Sequence, residues 1–148
     1  MFEYFQYIII FLIYGTRPVL YKYIVPFIQV ESIILISGVF YLILAVFYVY
    51  FTKPTKLIQD IRTMNKTPSL YAWLWLTALL GLMATHFYLY LLKDSPAFLL
   101  TAVLSAYPLV TAAASYLFLN EIITGTQFIG MIVIIAGVMI LNFGDFDY

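Results

Sequence analysis

The chain of 148 residues is 65% hydrophobic, only 9% charged, and has a formal net charge of zero. That composition cannot build a water-facing surface, and the neutral balance argues against nucleic acid as a partner. With no cysteine in the sequence, disulfides, thiolate metal sites and thiol catalysis are excluded.

Five apolar stretches, Tyr4–Val25, Ser32–Phe51, Leu70–Leu92, Ala97–Leu119 and Gln127–Phe143, occupy nearly the whole chain. An α-helix needs about 20 residues to cross a hydrocarbon core of about 30 Å. Backbone polar groups in lipid must be satisfied within each span, and runs without strand-like alternation choose helices over a barrel. The expected fold is therefore all-α, an integral membrane bundle of five transmembrane helices in a single domain, with a basic loop at residues 52–69.

The first stretch lacks a positively charged leader and a small-residue cleavage site, so it is expected to be retained. Arg17 lies past its midpoint, in Tyr14-Gly15-Thr16-Arg17-Pro18. A cation at that depth costs at least about 2.5–3.5 kcal/mol and should face a cavity or a partner. Tyr14, Arg17, Pro18 and Tyr21 share a helical face by their spacing. Pro18 removes an interior hydrogen bond, so a bend or local unwinding is expected beside Tyr14. Two readings fit Arg17: a guanidinium holding an anionic solute, or a side chain reaching the outer headgroups. Lys22, nearer the end, is expected to snorkel.

The loop after the second stretch carries Lys53, Lys56, Arg62 and Lys66 against Asp60. Cationic excess marks the cytoplasmic side. The amino terminus is then expected inside, and the carboxy terminus with Asp145 and Asp147 outside. Leu57, Ile61 and Met64 recur there at helical spacing, which fits either a short helix on an anionic leaflet or a solvated linker.

His86, the sole histidine, stands in the third stretch with Tyr90 one turn on. A lone imidazole makes no metal site, so it is read as a satisfied structural residue or part of a polar path. In the fourth stretch Thr101, Ser105, Ala112 and Ser115 set small residues along one side, interrupted by Pro108 after Tyr107. Pro108 should free a carbonyl near Leu104 and re-aim the half-helix beyond it, as broken helices do around transporter cavities. In the fifth stretch Gly130 and Gly137, seven apart, form with Ser105 and Ala112 the expected helix-packing positions, including a possible dimer seam.

Most of the fourteen tyrosines and both tryptophans lie near stretch ends, where rings anchor at headgroups. No Asp or Glu lies deep in any stretch, and no phosphate-cradling glycine loop or nucleophile triad is present. No enzymatic activity, cofactor or metal is expected.

A resemblance rests on an ordered series of segments. Phe87-Tyr88-Leu89-Tyr90-Leu91-Leu92-Lys93-Asp94-Ser95-Pro96-Ala97 is followed by Leu104-Ser105-Ala106-Tyr107-Pro108-Leu109-Val110-Thr111. Phe118-Leu119-Asn120-Glu121, Gln127-Phe128-Ile129-Gly130 and Ala136-Gly137-Val138 complete the series. In that order and spacing the chain resembles an EamA-type domain of the drug/metabolite transporter superfamily. Tyr14-Gly15-Thr16 with Lys22 resembles that domain's opening helix, with Tyr14 where a tryptophan is common. The likeness is densest from Phe87 onward and thinnest between Val30 and Ser69.

The resemblance implies a five-helix repeat, normally present twice as an inverted pair around a central cavity, in proteins that export or exchange small metabolites. This chain holds one repeat. The expectation is a half-size transporter of a small solute, working as a homodimer or with a related membrane chain in the lipid bilayer. The alternative is a non-transporting subunit or degenerate repeat that assembles with a full-length transporter. The expected pathway lies near the midplane, lined by Tyr14, Arg17, His86, Tyr90, Tyr107 and Pro108. The resemblance also matches the family's proline to Pro108 and its acidic residue to Glu121.

Overall fold

The computed structural model describes residues 2–52 and 54–142, with side chains for residues 5–52 and 56–141. Lys53 and the tail acids Asp145 and Asp147, which figured in the orientation argument, lie outside the described residues. Every regular element described is helical: α1 (Phe2–Ile24), α2 (Val30–Thr52), α3 (Pro54–Lys66), α4 (Ser69–Asp94), α5 (Ala97–Leu104), α6 (Tyr107–Ala114) and α7 (Gly125–Asn142). A π-helical turn, Ser115–Leu119, continues directly from α6.

Three segments, Val30–Thr52, Ser69–Asp94 and Ala97–Leu119, are long and apolar enough to cross a bilayer, among the described residues. α1 equals α2 in length but is less apolar, since Gln6, Arg17 and Lys22 interrupt it. The apolar part of α7, Gly125–Leu141, is shorter than the other candidates. The chain is an integral membrane protein with at least these three membrane-length helical segments.

The chain divides into two compact units, one joining Met1–Lys22 to Asp94–Tyr148 and the other comprising Tyr23–Lys93. In the second unit the buried side chains are Val25, Val30, Ile33, Leu89 and Leu92, near the α1–α2 turn and in the last turns of α4. Elsewhere large apolar side chains face outward: only 6% of each membrane-length window is buried within the chain. In water that surface would be untenable; in hydrocarbon it costs nothing, because lipid tails are as apolar as leucine.

In the first unit α5 packs against α7, and Lys22 ties α1 to the turn before α5. Its Nζ donates to the carbonyl oxygen of Ser95 at 3.0 Å. The half-buried ammonium therefore has an acceptor within the fold, where snorkelling to headgroups was expected. Of the bend or unwinding expected at Pro18, the unwinding is absent. α1 runs through it from Phe2 to Ile24, so no turn is unwound there. Pro18 is buried, and packing holds its turn despite the missing donor. Two residues earlier, the Thr16 hydroxyl donates to the carbonyl of Leu12 at 2.9 Å.

Lys22→Met would leave the Ser95 carbonyl without this donor. We expect a loss of about 1–2 kcal/mol, read as the midpoint of detergent-mediated unfolding. An unchanged midpoint would return Lys22 to the headgroups.

Candidate functional site

The fourth apolar stretch is where the backbone breaks its own rule. α5 ends at Leu104 and α6 begins at Tyr107. Pro108 has no N–H to offer the preceding turn, and its ring crowds the carbonyl four residues back. The chain responds by tightening. Ser105 N–H donates to Thr101 and Ala102 oxygens at 3.0 and 3.1 Å, Ala106 N–H to Val103 O at 3.3 Å, and Leu109 N–H to Ala106 O at 3.1 Å. Apart from the four-residue bond to Thr101, these are three-residue bonds, the 3₁₀ pattern that marks helix ends. The Ser105 hydroxyl completes the turn by donating to Ala102 O at 2.5 Å. Pro108 then sits in the first turn of α6, where a missing donor is harmless. The interruption expected from the sequence at Pro108 is present.

The far end of this segment is equally irregular. The π turn stops at Asn120, whose φ of 55° and ψ of 30° place it in the left-handed region. Asparagine tolerates that region better than most side chains. The Ser115 carbonyl accepts from the N–H groups of both Asn120 and Glu121, the latter at 3.2 Å. Wide turns of this kind recur at functional sites.

After the loop, α7 opens on a reciprocal cap. Thr124 N–H donates to Gln127 Oε1 at 2.8 Å, and Gln127 N–H donates to Thr124 Oγ1 at 3.4 Å. That is a capping box, satisfying donors that the first helical turn cannot. The four residues Thr124-Gly125-Thr126-Gln127 spell it in the sequence, although the sequence reading above did not use it.

Between these two irregular ends lies a cleft of about 420 Å³. Tyr107, Pro108, Thr111, Ala112 and Ser115 form one wall; Glu121, Ile122 and Ile123 supply the loop; Gln127 and Met131 come from α7. The cleft is open and shallow, since Tyr107, Thr111, Glu121, Ile122 and Gln127 are exposed, and its mostly apolar lining carries a few polar groups. Glu121 supplies the only formal charge in this lining.

Of the expected pathway residues, the structure brings Tyr107 and Pro108 together in the cleft, with Ala112 from the packing positions beside them. Ser105 lies in the break and is exposed. Arg17 is half-buried; its guanidinium donates to the Tyr21 hydroxyl at 3.0 Å and lies 5.2 Å from that ring's centroid. Both contacts follow from the four-residue spacing. Tyr14 is exposed on the same helix. His86 and Tyr90 belong to the second unit, His86 half-buried and edge-on to Phe87 at 5.8 Å, Tyr90 exposed. Gly130 and Gly137 face open space: a methyl group added at either would meet no atom within 4 Å among the described residues. No group of three or more His, Cys, Asp or Glu side chains is placed to hold a metal ion, among the described residues.

The EamA-like transporter family matches residues 1–143. The chain belongs to the EamA-like transporter family. No curated protein and no solved structure matches it. The EamA-like match extends through α2 and α3, the region where the resemblance carried by individual motifs is thinnest.

Thr111 and Gln127 were not legible in the sequence as cleft residues, Ser115 stood out only for its size, and Glu121 only as the match to the family's acidic residue. Their convergence depends on the break at Pro108 and also on the π turn, which no local pattern announces. Thr124→Ala removes one half of the capping box, and we expect it to destabilise the EamA-like fold by about 1 kcal/mol. Thermal unfolding in mild detergent measures this; no shift would mean that α7 does not depend on the cap.

Proposed function

We propose that this chain is a half-size small-solute transporter: one five-span repeat that works with a second copy of itself or with a related chain. Family membership supports the transporter class. The observation that carries the reading is the break at Ser105–Ala106, opening beside the cleft that Tyr107 and Pro108 line. Interrupted helices expose backbone only where it is buried in protein or lines a cavity, and transporters place their substrates at such interruptions. α1 and α7 are taken as the fourth and fifth spans beside the three membrane-length segments. An amino terminus on the cytoplasmic side follows from the Lys56, Arg62 and Lys66 excess.

Pairing is supported by what the chain leaves uncovered. A Cβ added at Gly130 or Gly137 would meet nothing within 4 Å among the described residues, and a small-residue face lets another helix approach closely. A second repeat laid along α7 would use that face, and rocking of the two repeats would supply alternating access. Tyr14, Arg17, His86 and Tyr90 remain proposed contributors to the pathway, each open to single substitution.

The test is solute counterflow in proteoliposomes with wild type and Pro108→Ala. Restoring the α5–α6 hydrogen bond should raise thermal stability by up to about 3 kcal/mol. Transport should fall at least roughly tenfold, since a 1.4 kcal/mol change at the barrier already gives that factor. Unchanged transport in a stabilised variant would remove the break from the mechanism. Crosslinking in the bilayer addresses pairing: a monomer without transport would favour a subunit of another transporter.

A further inference from the structure

α3 stands between two membrane-length helices and is itself too short to cross. Its 13 residues span about 20 Å at 1.5 Å each. α2 ends at Thr52 and α4 starts at Ser69, so α3 is held at the level where both leave the hydrocarbon. Helical spacing puts Leu57, Ile58 and Ile61 on one arc and Lys56, Gln59, Arg62 and Lys66 on the opposite arc. The apolar arc is uncovered: Leu57, Ile58 and Ile61 are 46%, 55% and 45% exposed.

α4 does not fill that gap. It meets α3 along the border between the arcs, where Asp60, Thr63 and Met64 share a cavity of about 380 Å³ with Leu70, Trp73 and Leu74. The Tyr71 hydroxyl pins this arrangement by donating to Asn65 Oδ1 at 2.6 Å. Thr67 N–H closes the turn onto the carbonyls of Thr63 and Met64 at 3.1 and 3.0 Å. The contact with α4 thus touches only the carboxy-terminal half of α3 and leaves its apolar side open. A helix this short is marginal in water by itself, so its apolar arc needs a surface.

We propose that α3 lies on an anionic phospholipid leaflet, its apolar arc among the acyl chains and its cationic arc against the headgroups. Charge selects this occupant. Lys56, Arg62 and Lys66 oppose Asp60 alone, and cations at a membrane surface each favour anionic lipid. Aliphatic side chains on one arc and cations on the other are the arrangement that lets an interfacial helix sink to the acyl boundary. α3 then acts as a lipid-reading element, fixing the leaflet on which the α2–α4 connection rests.

Trp73 lines the α3–α4 cavity, and Trp73 and Trp75 are the two tryptophans of the chain. Full-length Trp75→Phe protein is placed in phosphatidylcholine nanodiscs doped with brominated phosphatidylglycerol or brominated phosphatidylcholine. The expected result is stronger quenching of Trp73 by the anionic lipid. Neutralising α3 with Lys56→Gln, Arg62→Gln and Lys66→Gln should reduce the preference stepwise, by about fivefold for each cation. Equal quenching in the parent, or a preference that survives the triple substitution, overturns the proposal. Because the chain is free of cysteine, nitroxide labels at Ile58→Cys and Gln59→Cys supply an independent reading. Oxygen should collide more with the label at 58, and a water-soluble nickel chelate more with the label at 59. Equal nickel access at both positions also overturns it. So does a label at 58 whose shielding rises with protein-to-lipid ratio, because the occupant would then be a second copy.

Discussion

In hydrocarbon no water is available to satisfy a backbone N–H or carbonyl, and each one left unpaired costs several kcal/mol. Most of the architecture follows from that constraint. It forces Val30–Thr52 and Ser69–Asp94 into continuous helices and lets their apolar side chains face outward. The few buried residues, such as Leu89 and Leu92, sit near helix ends and turns rather than along the length of the spans. Packing within the chain therefore contributes little along the middle of each span, and the surrounding lipid or another protein must cover the remainder.

Against that background, departures from regular helix carry meaning. Pro18 and Pro108 each remove one donor, with different outcomes. Buried Pro18 leaves α1 intact, whereas Pro108, flanked by the exposed Ser105 and Tyr107, ends one helix and starts the next. At the other end of the same segment the π turn and left-handed Asn120 release Glu121 into the loop. Two irregularities at either end of one short helix create the cleft. Irregular backbone is tolerated at membrane depth where it is buried in protein or lines a cavity, and the cleft lies beside both irregularities.

Much of the helical layout was legible in the sequence, because lipid demands uniform apolar runs whose ends are set by polar residues. The stretch Ser32–Phe51 corresponds to α2, and Leu70–Leu92 to α4, each extended by one or two residues into its polar flanks. Pro108 announced the break for a local chemical reason. The state of residues 54–66 was not decided by periodicity, since a helix and a solvated linker fit the same charges; the hydrogen bond from Tyr71 to Asn65 helps hold the helix there. The Lys22 contact with Ser95 joins residues 73 positions apart, which no local pattern encodes. The same holds for Thr111 and Gln127, which meet only once the chain has turned back on itself.

The central claim is that lipid surrounds the helices whose apolar faces point outward. Its most direct measurement is a scan of single cysteines through Val30–Thr52, Ser69–Asp94 and Ala97–Leu119, labelled in intact vesicles with a membrane-impermeant maleimide. The cysteine-free background makes each position a clean report. Labelling should be absent through the middle of all three segments and return at their ends, with a local exception near Ser105–Pro108 where the cleft admits water. Uniform labelling along Val30–Thr52 would contradict the account.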